Sequence, residues 1–310
     1  MRPVMVPSAA THSPSKALVF ARRLGSTLLL WGLVGATFAS MRAWAYLGLI
    51  ALLTLVSTLE IFRMAGKAGV SCCGRFGLIL TAVYCAVLHA DLALGRAVLP
   101  QWEMALVALC LCGAFVIHLR VPVRGIDTLT GVMTTAGAFV YVAVLFNFTS
   151  KLLFFLPEWR LADGKVAMPA ALLVLWLLAV TKFSDMGAYL TGSLIGRHKM
   201  IPHISPAKTW EGFAGGLAFS QLAGCGLYAL FPQHFGVLGG WGHVILLGFV
   251  IGVLAVIGDL AESVVKRALG AKDSGRMLPG IGGALDLIDS ICFTAPALYF
   301  YLLWVRPAIA

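Results

Sequence analysis

Residues 258–290 carry acids, bases and glycines at spacings suited to phosphate chemistry. Asp259, Glu262, Ser263 and Lys266 stand at i, i+3, i+4 and i+7, on one face of a helix. Asp286 and Asp289 stand at i and i+3, again on one face. One apolar run leads directly into Asp259 and another follows Asp289, so these carboxylates lie near or inside a membrane boundary. An ionised carboxylate at mid-helix costs ~2.5–3.5 kcal/mol on insertion scales, so partners must offset it. Three carboxylates on two helices can converge on a hard cation, and magnesium prefers oxygen ligands shared with substrate phosphate and water. Asp259, Asp286 and Asp289 are therefore the expected metal ligands, and with Lys266 the expected catalytic set. Lys266 and Arg267 supply positive charge for phosphate oxygens, arginine as a fork and lysine as a point charge. The turn Pro279-Gly280-Ile281-Gly282-Gly283 precedes the second helix and can turn backbone N–H groups toward an anion. Glu262 is a further candidate ligand that also suits an i,i+4 pair with Lys266, and Asp273 is a further candidate that also suits a helix cap.

A second polar constellation occupies residues 181–212. Asp185 is an acid at the end of an apolar run and a candidate member of the site. After it come Gly196-Arg197-His198-Lys199 and Ser205-Pro206-Ala207-Lys208-Thr209-Trp210-Glu211-Gly212. Pro206 suits a first helical turn with Ser205 as its N-cap. Ser205, Lys208 and Thr209 near that helix start form a plausible anion site. His198 has no second histidine at ligand spacing and reads as a loop residue.

The elements that must position these groups are membrane spans. Of 310 residues, 60% are hydrophobic and only 12% charged, about half the charge of an average soluble protein. That composition excludes a soluble globular domain and extensive disorder. Runs long enough to cross a bilayer, about 20 residues each, fall at 24–40, 43–62, 76–92, 102–119, 129–148, 167–185, 210–231, 241–262 and 284–305. The expected fold is an all-α polytopic integral membrane protein of about nine transmembrane helices. Residues 1–23 read as a flexible cytoplasmic arm, 24–165 as spans without a recognised motif, and 166–310 as the region holding both constellations. With the N-terminus inside, 17 of the 23 lysines and arginines fall on inner segments and 6 on outer ones, which favours N-in and C-out. The net charge of +10 then reflects cytoplasmic loops, and nucleic acid is not an expected partner. The weak point is 149–166, with three basic residues on the outer side; its Phe154-Phe155-Leu156-Pro157 and Trp159 suggest an interfacial segment. The seven cysteines show neither disulfide nor zinc spacing and read as small apolar residues.

Both constellations resemble the phosphatidate cytidylyltransferase (CDP-diacylglycerol synthase) family. Its signature falls on Ser263, Lys266, Arg267, Lys272, Asp273, Pro279, Gly280, Gly282, Gly283, Asp286 and Asp289 without a gap. The upstream family motifs Asp-x-Gly-Ala-Tyr and Ser-Pro-x-Lys-Thr-Trp-Glu-Gly stand at Asp185 and Ser205. Ile281 and Leu287 replace a histidine and an arginine usual in the family. The likeness covers about residues 170–305. It implies transfer of CMP from CTP to phosphatidic acid, giving CDP-diacylglycerol and pyrophosphate at the cytoplasmic face of a bilayer, with a bacterial inner membrane as the expected home. It further implies Ser263, Lys272, Gly280, Gly282 and Gly283 as phosphate contacts, Mg²⁺ as cofactor, a second cation such as K⁺, and a homodimer as an open expectation. A CTP-dependent kinase of a membrane polyprenol or phytol would need similar parts. An ion-coupled transporter would use the same intramembrane acids as a cation path, and an inactive scaffold of the same fold is a further alternative.

Overall fold

The computed structural model describes residues 28–29, 31–96, 100–275 and 282–309. Among the described residues, eight helices are long and apolar enough to cross a membrane. They are α1 (Ala43–Lys67), α2 (Gly74–Leu94), α3 (Pro100–His118), a composite rod from Ile126 to Leu153, α6 (Met168–Ile195), α7 (Trp210–Leu230), α8 (Trp241–Ala268) and a last rod from Leu285. The composite rod consists of α4 (Ile126–Ala138), a π-helical stretch at Phe139–Val144 and α5 (Phe148–Leu153). The last rod starts as α9 (Leu285–Ile288) and resumes as α10 (Ile291–Ile309) after a break at Asp289-Ser290. These eight coincide with the second to ninth expected spans. Of the first, residues 28–29 and 31–40 are helical, while its beginning, like the 1–23 arm, lies outside the described residues.

The all-α expectation needs one small addition and one correction. Strands β1 (Lys199–Ile201) and β2 (Ser205–Thr209) pair antiparallel between α6 and α7. Pro206 therefore lies in a strand and not in a first helical turn. The N-cap of α7 is Thr209 and not Ser205: its extended backbone sets its hydroxyl to accept the Gly212 N–H at 3.1 Å. Glu211 closes the hairpin by accepting the N–H groups of Arg197 and His198, and it also pairs with the His198 ring at 2.5 Å.

Helix packing follows membrane rules, with small residues at the closest approaches and polar side chains bonded across helices. Where α6 meets α7, a Cβ on Gly216 would come within 2.9 Å of the Ser184 carbonyl, so the backbones touch only because that position lacks a side chain. Trp176 donates its indole N–H to the Gly224 carbonyl at 2.9 Å, Ser220 its hydroxyl to Gly248 at 3.2 Å, and Thr181 meets Thr294 at 3.1 Å. Outward faces stay apolar: α3 exposes Met104, Leu109, Phe115 and Val116, as a helix against lipid should.

The connections gather in two sets at opposite ends of the bundle. At one end Arg42 donates to the Asp163 carbonyl at 2.8 Å, Val166 N–H bonds to Met41, and the Arg160 guanidinium reaches the Leu92 carbonyl. There Phe154 and Trp159 are buried, whereas residues 157–158 and 161–164 of the same segment are exposed. At the other end His118 meets the Ser71 carbonyl at 2.7 Å, Arg267 approaches the Ile204 carbonyl, and the Leu285 N–H bonds to Glu60.

Candidate active site

A cavity of about 380 Å³ opens at that second end, between α6, β2, the start of α7, α8 and α9. Asp185, Ser205, Lys208, Thr209, Asp259, Asp286 and Asp289 all contribute to its wall. These residues from the two constellations, between 50 and 104 positions apart in the chain, thus share one hollow.

Two backbone features bring the acids together. A Cβ on Gly258 would sit 2.7 Å from the Ser290 Cα and 2.9 Å from the Asp289 carbonyl, so α8 and the break after α9 pack backbone to backbone. That contact sets Asp259 beside Asp289. The helical register then adds Glu262, one turn along α8. Oxygens of Asp259, Glu262 and Asp289 lie within 4.8 Å of one another.

Three lysines thread the acids. Lys208 forms an ion pair with Asp259. Lys182 lies 3.4 Å from Asp185 and 3.9 Å from Asp289. Lys266 lies 2.5 Å from Glu262 and 2.8 Å from Asp286. The second oxygen of Asp286 accepts the Ser274 hydroxyl at 2.8 Å and the Gly283 N–H at 2.7 Å. Five carboxylates therefore face three ammonium groups, an arrangement in which a bound cation would offset the excess of acids.

The donor set fits a hard divalent ion. All its atoms are carboxylate oxygens, the ligand type magnesium prefers. Glu262 is buried, with one oxygen on Lys266 and the other, Oε1, without a hydrogen-bond partner. A buried acceptor left in that state is costly unless something binds it. Tyr141, from the π-helical stretch, and Ser290 also carry buried hydroxyls without partners.

The remaining expected site residues take varied places. Lys266, expected on phosphate, is held between two carboxylates, and its pairing with Glu262 is a buried one. Ser263 is half-buried on α8 and does not line the cavity. Arg267 is exposed, with contacts to the carbonyls of Ile204 and Ala271. Lys272 and Asp273 are exposed. Gly282 has φ +129°, a conformation glycine tolerates, and its Cβ position would be filled by the Asp286 carboxylate. Gly280 and Ile281 lie outside the described residues, while Leu287 is half-buried and packs against the core.

Sequence reasoning passed over Lys182, Ser274 and Glu60. Glu60 is the single acid of α1 and is buried, with Oε2 accepting the Leu285 N–H at 2.9 Å. The signal was available: an ionisable residue in an otherwise apolar span marks a functional position by default.

Fold and site together define a polytopic α-helical membrane protein with a cavity lined by carboxylates and lysine at one end of its bundle. The cytidylyltransferase family profile matches residues 21–305, and the chain belongs to that family. It is 42% identical over 132 residues to the Escherichia coli "Uncharacterized protein YnbB", covering 43% of each chain. It is 43% identical over 128 residues to the phosphatidate cytidylyltransferase of Brucella suis, covering 41% of this chain and 46% of that one. It is 29% identical over 289 residues to the phosphatidate cytidylyltransferase of Synechocystis, covering 86% of this chain and 91% of that one. The matched stretch thus spans a little under half the length of the first two relatives and most of the third.

Proposed function

We propose that this protein transfers the CMP moiety of CTP to phosphatidic acid, giving CDP-diacylglycerol and pyrophosphate. The observation that carries this reading is the convergence of Asp259, Glu262 and Asp289 beside Lys208 in a cavity at the bundle end. Family membership and the names of the Brucella and Synechocystis relatives support the choice of substrates.

The chemistry needs no activated hydroxyl or thiol. The lipid phosphate is already an anionic nucleophile; its oxygen attacks the α-phosphorus of CTP, and the bond to the β-phosphate oxygen breaks to release pyrophosphate. The barrier is repulsion between two anions held in line, so positioned positive charge is the main requirement. Lys208 stands in the wall with its charge shared with Asp259, and an arriving phosphate competes for it. Ser205 and Thr209 also line the cavity, with the Thr209 hydroxyl engaged as the cap of α7. Lys182 and Lys266 pair with the neighbouring carboxylates Asp289 and Asp286 and keep them oriented. Mg²⁺ would be held by Asp259, Glu262 and Asp289, where it supplies charge neutralisation to the reacting phosphates. In this reading Asp286, expected as a ligand, lines the cavity and fixes Lys266. K⁺ as a second cation remains part of the proposal.

The cavity end is assigned to the cytoplasm, where CTP is available. The count of 17 inner against 6 outer basic residues supports that orientation, and the clustering of 41–43 with 163–166, and of 71 with 118, fits the same alternation. A bacterial plasma membrane is the proposed location. Acyl chains would then stay in lipid while the headgroup enters the cavity.

The test is purified protein with CTP, Mg²⁺ and phosphatidic acid, scored for pyrophosphate and for CTP label in lipid. Label from the α-phosphate in the lipid is the expected result. A γ-phosphate label in lipid with release of CDP would replace this reading with a CTP-dependent lipid kinase. A transporter is disfavoured because the acids gather at one end of the helices, whereas coupling sites lie near the bilayer midplane.

A further inference from the structure

Glu60 lies outside both sequence constellations, on α1, 199 positions before Asp259 in the chain. It is 4% exposed, so its carboxylate must be matched by partners inside the protein. Its Oε2 accepts the N–H of Leu285, the first residue of α9, across 225 positions of sequence. Gly275 and Gly283 complete its surroundings: a Cβ on either would collide with the Glu60 carboxylate. Both glycines belong to the connection between α8 and α9, so one carboxylate touches that connection at two points, before residue 276 and after residue 281.

The contacts continue to the cavity. Gly283 N–H and the Ser274 hydroxyl both donate to Asp286 Oδ2, at 2.7 and 2.8 Å. The other Asp286 oxygen holds Lys266, which holds Glu262. Asp289 follows one turn after Asp286 and lies among the cation-binding oxygens. A carboxylate on the N-terminal half of the chain thus sets the register of the segment presenting two cavity aspartates.

We propose that Glu60 is a positioning residue for CMP transfer, holding Leu285 and the flanking glycines so that Asp286 and Asp289 face the cavity. The proposal rests on the reaction assigned above. Its hydrogen-bonding role requires an acceptor and not a charge, so glutamine should serve nearly as well as glutamate. Glu60→Ala should lower kcat about 100-fold, the scale of a misplacement of about 1 Å at a reacting centre, with KM for CTP little changed.

Hydrogen–deuterium exchange of the full-length protein in lipid nanodiscs gives a readout independent of turnover. With Glu60→Ala, peptides covering 282–290 should exchange faster, while peptides of α6 and α7 keep wild-type protection. Glu60→Gln should retain both protection and activity. Gly275→Ala, which keeps Glu60 but crowds its carboxylate, should reproduce the Glu60→Ala pattern; if Glu60→Ala does not fold, this variant and Glu60→Gln decide. Unchanged exchange at 282–290 in both Glu60→Ala and Gly275→Ala would overturn the proposal. So would a Glu60→Gln protein that is inactive with that segment still protected, since the charge itself would then be what acts. Absence of CMP-lipid formation by the wild-type protein would overturn the reaction alone, because the exchange pattern is read without substrate.

Discussion

The carboxylates of the cavity have different partners, and substitution should separate them. Asp259, Glu262 and Asp289 share one small volume, so amide replacements remove charge without removing bulk. Asp259→Asn, Asp286→Asn and Asp289→Asn should each lower formation of CDP-diacylglycerol by at least about 100-fold while the protein still purifies as a folded species; near-normal turnover in all three would refute the assignment. Glu262→Gln is the more discriminating change, because one Glu262 oxygen serves Lys266 and the other has no partner. It should raise the Mg²⁺ concentration for half-maximal activity about tenfold or more, measured by metal titration of the purified protein. Chelation should stop the reaction and added Mg²⁺ should restore it. An activity indifferent to chelator would remove the metal from the proposal.

At the scale of elements, the site depends on close backbone approach and on one cap. Gly258 lets α8 meet the α9–α10 break, and the nearest obstacles to a side chain there are backbone atoms that cannot rotate aside. Gly258→Val should therefore separate Asp259 from Asp289, with a stability loss of about 1–3 kcal/mol and a larger loss of turnover than of thermal stability. A fully active Gly258→Val enzyme would show that the two acids need not be adjacent. Thr209→Ala removes the hydroxyl that caps α7 and should cost about 1 kcal/mol, seen as a lower midpoint on heating, whereas Thr209→Ser should restore it. The cap could not be assigned from residue types alone, since Ser205 is an equally good capping residue. What decided between them is the pairing of β1 with β2, which keeps residues 205–209 extended until Trp210.

For the whole molecule, sidedness is the property that links site to substrate. In a variant whose native cysteines are replaced, a cysteine at exposed Asp163 should react with a membrane-impermeant maleimide from outside intact cells. One at exposed His203 should react only after the membrane is opened. The reverse pattern would place the cavity on the wrong side for cytosolic CTP. The spans themselves were legible because hydrocarbon tolerates only long apolar helices with internally satisfied backbones. The site was legible in part: acids and bases at helical spacing inside apolar chain mark themselves by their cost. Glu60 was legible only as a lone acid in a span, with nothing local to say what it touches.

By itself the sequence determined the membrane class, the spans that carry the polar residues, and the two segments whose polar residues line the cavity, because hydropathy and helical periodicity act over one or two turns. Only the tertiary structure decided which acids share a volume. It placed Glu262 with Asp259 and Asp289, turned Asp286 toward Lys266, and brought Glu60 to the start of α9. Those choices rest on backbone-to-backbone contacts at glycines and on hydrogen bonds spanning up to 225 positions, and no local pattern along the chain encodes such distances.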